Sequence, residues 1–156
     1  MAAITDVHHR LDAIDRRLVG ELQADARLSM AELGRRVGLS APAVADRVSR
    51  LERDGVITGY RAEVDPRRLG FALSTVIRVR PSPGQLANVA ELAIHTPEVV
   101  ECRRVTGDDC YVMTAHVRDV VHLEEVIDRF AVLGATTTAI VQSSPVPRRP
   151  VDLGAA

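Results

Sequence analysis

Ser29 and Ser40 each introduce a helical stripe of apolar side chains, and only Val37-Gly38-Leu39-Ser40 separates the two stripes. Ser29-Met-Ala-Glu32 has the form of a capping box, in which the serine accepts a first-turn amide and the glutamate reaches back to the serine's own. Gly38 stops that helix and is free to take positive φ. Ser40 is a second N-cap, and Pro42 is tolerated because first-turn amides have no intrahelical partner. Val44, Val48 and Leu51 form the buried stripe of the helix that follows, and Gly55 ends it. Upstream, Leu11, Ile14, Leu18 and Leu22 mark an amphipathic helix over 11–24. A short helix, a tight turn and a longer helix are helix-turn-helix syntax.

Beyond Gly55 the period changes. Tyr60, Ala62 and Val64 alternate with Arg61 and Glu63, as in a half-exposed strand, until Asp65-Pro66 breaks the chain. The pattern then gives a strand over 71–80, a turn at Pro81-Ser-Pro-Gly84, a helix over 85–95, and strands over 98–106 and 110–117 joined at Gly107-Asp108-Asp109. A helix over 119–132 and a strand over 135–144 follow. The order βαββαβ is ferredoxin-like: four antiparallel strands with both helices on one face. Leu86, Val89, Ala90, Ala93 and Ile94 form the first helix's inward stripe, and Val120, Leu123, Ile127, Phe130 and Ala131 the second's. The strands are apolar on both alternations, with Val76 set against Leu73, Ile77 and Val79, so a second copy of the sheet is expected on the face without helices.

The fold class is therefore α+β. The expected domains are a helix-turn-helix unit at 1–55, a wing or hinge strand at 56–69, the βαββαβ unit at 70–144, and a flexible proline-rich tail at 145–156. No stretch approaches the roughly 18 apolar residues of a membrane span, and charges interrupt the start of the chain where a signal peptide is apolar. A cytoplasmic location is expected. Two cysteines, with no CxxC and no dense Cys/His cluster, imply neither a disulfide framework nor a zinc site, and no cofactor is indicated. A hairpin turning at 107–109 pairs Cys102 with a residue near Thr114 and leaves Cys102 and Cys110 about 13 Å apart. Cys110 and His116 are about 20 Å apart along an extended strand, too far for a nucleophile pair. His8-His9 reads as exposed and inert.

A formal net charge of −1 argues at first against nucleic acid. Between Arg27 and Arg53, however, six arginines meet three carboxylates, whereas residues 61–156 carry −1. The charge is segregated onto the helix-turn-helix. A recognition helix lays its N-terminal residues against base edges while flanking groups hold phosphates. The candidate DNA face is Arg35, Arg36, Ser40, Ala41, Ala43, Asp46, Arg47, Arg50 and Arg53. Arg47 is the expected base reader, because guanidinium pairs bidentately with guanine O6 and N7; Arg35, Arg36, Arg50 and Arg53 are expected on phosphates. Small residues at 41 and 43 permit close approach. The bland alternative is a structural three-helix bundle with solvated arginines.

The segment from Leu11 through DGVITGY and DPRRLG resembles the N-terminal half of the Lrp/AsnC family of prokaryotic transcription regulators. PEVVECRRVTGDDCYVM resembles the family's C-terminal amino-acid-sensing domain, and the likeness runs to about Val141. It implies a winged helix-turn-helix bound to double-stranded DNA, and an ACT-like ferredoxin-like domain that dimerises through its sheets and assembles into tetramers or octamers. It also implies an amino-acid effector held between dimers. Gly107, Asp108, Asp109 and Cys110, with Thr136 and Thr138 on the last strand, are the candidate effector residues. A turn bearing carboxylates offers a counter-charge to an ammonium and amides to a carboxylate. Cys110 stands where the family usually has Asp. Two alternatives stay open: an effector-independent DNA-architectural protein, and a ferredoxin-like metabolic enzyme subunit. The latter lacks a convergent acid/base pair, a phosphate loop or metal-ligand spacing.

Overall fold

The computed structural model describes residues 11–153; His8 and His9 lie outside them. The chain divides into two compact units, one running to Ala62 and taking in the chain from Val146, the other being Glu63–Pro145.

In the first unit, α1 (Ala13–Ala24) opens on a reciprocal capping box between Asp12 and Asp15: Asp12 accepts from the Asp15 amide at 2.7 Å, and Asp15 from the Asp12 amide at 3.4 Å. The box expected at Ser29 is only half formed. Ser29 Oγ accepts the Glu32 amide at 3.1 Å, but the Glu32 carboxylate turns to Arg35 and Arg36, where ionised donors outcompete a neutral amide. α2 (Met30–Val37) ends on Gly38 at φ +77°. Ser40 Oγ then accepts the Ala43 amide at 3.4 Å and opens α3 (Ala41–Arg53). Leu18, Leu22, Leu33, Val37, Val44 and Val48 share one core, with Leu51 fully buried. Gly34 makes the tight turn possible, because the Gly34 carbonyl accepts from both Gly38 and Leu39 and brings the Leu39 carbonyl onto its Cα.

The strand expected over 56–66 has no ladder partner among the described residues. Positions 58–65 are all exposed, so the alternation of Tyr60, Ala62 and Val64 buries nothing within the chain. Asp65 caps a 3-10 turn at Pro66–Leu69, accepting the Arg67 amide at 3.0 Å. The tail has no helix or strand through Leu153, yet it is paired: the Gln23 amide exchanges hydrogen bonds with the Val151 backbone at 2.9 and 3.3 Å, and Arg16 donates to the Leu153 carbonyl at 2.9 Å.

In the second unit, β1 (Leu73–Pro81), α4 (Leu86–Ile94), β2 (Val99–Arg104), β3 (Tyr111–Val117), α5 (Val120–Ala131) and β4 (Gly134–Ile140) follow the expected order. The sheet is antiparallel, β2-β3-β1-β4. Val89, Ala93, Leu123, Val126 and Phe130 pack with Ile77, Val79, Tyr111, Met113, Ala115 and Val117 in a single core, so both helices cover one face. Two stripes differ from expectation. Ile94, at the last residue of α4, is 75% exposed; on α5, Val120 is 64% exposed and Ala131 is exposed, while Val126 and His122 turn inward. Asp119 caps α5, accepting the His122 amide at 2.8 Å, and this sets the helix's rotation. Cys102 pairs with Met113, one residue from the expected register, after an irregularity between Val99 and Glu101. The face without helices carries Ser74, Val76 and Arg78 beside Val112, Thr114 and His116.

Alanine at the two helical glycines of this first unit should have opposite effects. A Cβ at Gly20 meets nothing within 4 Å, so Gly20→Ala is expected to stabilise by about 0.5–1 kcal/mol. A Cβ at Gly34 collides with the Leu39 carbonyl, so Gly34→Ala is expected to cost about 1–3 kcal/mol. Urea denaturation of the two variants checks the signs.

Candidate nucleic-acid interface and effector region

Asp15 is 2% exposed, a carboxylate inside the helix-turn-helix. Two arginines of α3 reach back across the core to hold it: Arg47 Nη1 lies 2.8 Å from Asp15 Oδ1, and Arg50 Nη2 donates at 2.9 and 3.0 Å to its two oxygens. Arg47 Nη1 also donates to Asp12 Oδ2 at 2.7 Å. Hydrogen bonds donated to Asp12 and Asp15 hold the Arg47 guanidinium above its ordinary pKa. The Asp15 amide first, and Arg47 second, hold the Asp12 carboxyl below its own.

Arg47, expected to read bases, is therefore turned toward the first turn of α1. Its side chain is 26% exposed, against 42% for Arg50. The exposed α3 positions are Pro42, Asp46, Ser49, Glu52 and Arg53; all but Glu52 form an i, i+4, i+7, i+11 stripe with Ser40 at its head, and Ala41 and Ala43 are half-buried. Arg36 is tied to Glu21 at 2.6 Å and Glu32 at 3.1 Å, and its carbonyl accepts from Arg17. Arg35 pairs with Glu32 but keeps 72% of its side chain exposed. Residues 11–55 hold eight arginines and eight carboxylates, so the +3 of segment 27–53 is matched by acids on α1 and at the ends of the segment.

The expected effector residues do not converge within one chain. Gly107 takes φ +103° and Cys110 φ +54°, a left-handed position that a Cys occupies only with strain. Asp108 already meets Arg80 at 3.3 Å, and Asp109 meets Arg78 at 3.6 Å, both from β1. Thr136 and Thr138 stand opposite Val79 and Ile77, on the helix-covered face, whereas Thr137 stands opposite Arg78. The Thr138 hydroxyl is buried without a partner among the described residues. The turn and the two threonines therefore belong to opposite faces of the sheet.

Residues 11–52 match the AsnC-type helix-turn-helix domain, and residues 74–151 the Lrp/AsnC ligand binding domain. The chain belongs to the Lrp/AsnC family. It is 40% identical to the HTH-type transcriptional regulator LrpA of Mycobacterium tuberculosis over 79% of this chain and 83% of that one. It is 38% identical to the leucine-responsive regulatory protein of Escherichia coli over 70% and 68% of the respective chains. Its structure superposes on that of Bacillus subtilis LrpC with a TM-score of 0.82 at 30% identity, covering 93% of this chain and 99% of that one. As a member of this family it is a DNA-binding transcription regulator with a C-terminal ligand-binding domain.

For an Lrp/AsnC regulator, the residues missed by sequence reasoning are the acids that engage the α3 arginines. Asp12-x-x-Asp15 was visible as a cap signature, and Arg47 and Arg50 share a helix face at i, i+3. Their pairing across 32 and 35 residues was not visible, because only the packing of α1 on α3 creates it.

Arg47→Ala leaves Asp15 with Arg50 alone and is expected to destabilise the protein by about 1–3 kcal/mol. Asp12's pKa falls on folding, so its stabilising effect is full above the unfolded value near 4 and is lost as the pH drops through the folded value. Without Arg47 that acid-side loss should shrink. Urea midpoints between about pH 6 and pH 2 measure both effects, and an Arg47→Ala protein with unchanged stability and acid profile contradicts the pairing.

Proposed function

We propose that this regulator binds pseudo-palindromic operators as a homodimer in the cytoplasm, without catalytic activity. An amino acid held by its βαββαβ domain shifts assembly or DNA affinity. The observation that carries the DNA reading is the exposed stripe Pro42–Asp46–Ser49–Arg53, headed by Ser40, on a helix whose other arginines are engaged internally. On this reading Pro42 meets a thymine methyl, Ser49 is a versatile hydrogen-bonding group, and Asp46 accepts from a cytosine amino group. Arg27, Arg35 and Arg53 hold phosphates, while Arg36, Arg47 and Arg50 act as positioning residues.

Residues 1–55 are then the DNA-binding domain, 56–69 the hinge, 70–144 the effector and assembly domain, and 145–156 the tail. The sheet face without helices, bearing Val76, Val112 and Thr114, supports sheet-to-sheet dimerisation. Gly107–Cys110, with Arg78 and Arg80, supplies a charged seam for further assembly into tetramers or octamers. The amino-acid reading rests on the ligand-binding domain and on the name of the leucine-responsive relative.

Three exposed arginines per protomer, Arg27, Arg35 and Arg53, give about six phosphate contacts per dimer, and so a slope of log K against log salt of about −5. A slope near −10 means that Arg36, Arg47 and Arg50 leave their carboxylates for phosphate. Asp46→Ala is expected to relax preference at one base position by about 1–3 kcal/mol, and Arg53→Ala to weaken specific and random duplexes alike. Binding to the protein's own upstream region, measured with sedimentation across the twenty amino acids, tests the effector. A ligand that changes neither readout, for every amino acid tried, favours the architectural alternative.

A further inference from the structure

The sheet has two edges, and they differ in chemistry. β4 carries no charged side chain and so nothing to fix a register with a further strand. β2 reads Val-Val-Glu-Cys-Arg-Arg, pairs among the described residues with β3 alone, and is exposed from Val100 to Arg104. Just beyond it, the Val105 amide donates to the Cys110 carbonyl at 2.8 Å. The two-residue period of an antiparallel ladder therefore directs the Arg103 backbone to β3 and leaves the amides and carbonyls of Cys102 and Arg104 on the open side. Such an edge is a template for another strand.

Its side chains fall into two rows. Glu101 and Arg103, opposite Thr114 and Val112, stand on the face without helices, where Arg103 donates to Glu101 at 2.6 Å. Cys102 and Arg104, opposite the buried Met113 and Tyr111, stand on the helix-covered face. There they border a groove of about 490 Å³ between α4 and β2. Ile94 and Val100 line this groove although 75% and 57% exposed.

We infer that β2 pairs antiparallel with β2 of a second copy about a two-fold axis at Cys102, joining two four-stranded sheets edge to edge. Charge selects this occupant and this register. With Cys102 opposite Cys102, Glu101 of each copy stands opposite Arg103 of the other, and the pair within each chain becomes part of a ring of four alternating charges. A slide of two residues in one direction sets Glu101 against Glu101, and in the other Arg103 against Arg103. Opposite charges across a ladder stabilise it and like charges oppose it. Charges on an edge ordinarily repel other strands; an alternation of sign repels all but a strand with the matching alternation, and a second copy matches by symmetry. Arg104 falls opposite Val100, whose exposed side chain its aliphatic stem covers. The open backbone groups lie in the plane of the sheet, so this contact leaves the Val76 and Val112 face to the dimer proposed above. It extends that assembly reading and requires no effector.

Charge reversal with sedimentation of the full-length protein across a concentration series tests the inference. Glu101→Arg and Arg103→Glu, at exposed positions, should each weaken self-association at least tenfold, and the double variant Glu101→Arg/Arg103→Glu, which restores the alternation, should return to within about threefold of the parent. A second readout is covalent. Opposite residues with bonded backbones lie about 5.5 Å apart between Cα atoms, within the span of a disulfide. With copper(II)-phenanthroline as oxidant, two Cys102 thiols should give up two protons and two electrons to two copper(II) ions. The resulting bridge between chains, mapped by mass spectrometry to Cys102–Cys102, should form at least tenfold more slowly in Glu101→Arg. Association that ignores both single changes, losses that the double variant does not reverse, or the absence of a Cys102–Cys102 bridge each overturns the edge pairing. If Asp109→Arg lowers the association state while the β2 variants do not, the hairpin turn is the seam, and the assembly reading stands without this inference.

Discussion

A carboxylate buried as deeply as Asp15 costs several kcal/mol of desolvation unless charged donors meet it, and the arrangement of the DNA-binding unit follows from how that cost is met. Arg47 and Arg50 meet it from α3, which fixes the rotation of that helix against α1 and so decides which stripe faces outward. The match is incomplete, since Arg50 Nε is buried without a partner, and a packed apolar pair at these positions would serve stability equally well. What the ionic pairing adds is orientation. A guanidinium that must reach two specific oxygens tolerates less rotation of its helix than a leucine in a greasy groove.

The same interaction changes how the protein attracts DNA. Arginines counted along the chain suggest a strongly basic face, but four of the six between residues 27 and 53 have carboxylate partners. Attraction to phosphate then depends on a few exposed cations rather than on net charge, and the proposed dimer would display two sets of them. On the reading proposed above, specificity shifts correspondingly toward small and acidic groups, Pro42, Asp46 and Ser49, which would discriminate bases by close approach and by a single acceptor. Assembly has a matching basis in the second unit. Its helices cover one sheet face over β1 and β3, while the other keeps half-buried Val76 and Val112 among polar neighbours, a surface suited to a second copy.

Local signals were legible in the sequence. Ser40 and Gly38 defined the turn, and the change of period after Gly55 marked the second unit, because caps and periodicity depend on neighbours three or four residues away. The βαββαβ order was legible for the same reason. The strand read in Tyr60, Ala62 and Val64 has no ladder because alternation specifies two faces, whereas a strand also needs a neighbour to bond with, and none is present among the described residues. The expected effector residues do not share a face within one chain: Thr136 and Thr138 are one strand position away from the face that Arg78 and Arg80 share, and a single step along a strand reverses every side chain. The roles of Arg47 and Arg50 were hidden by sequence distance, since nothing local distinguishes an arginine that reads DNA from one that holds a carboxylate across the core.

The measurement that bears most directly on this account is the side-chain NMR spectrum of the arginines during titration with an operator duplex. The account predicts that the Nε–Hε resonances of Arg47 and Arg50 stay in place, because their Nη groups remain bonded to Asp15, while that of Arg53 moves on binding. A large shift of Arg47 on specific DNA, absent on random DNA, would contradict it and return Arg47 to the role of base reader.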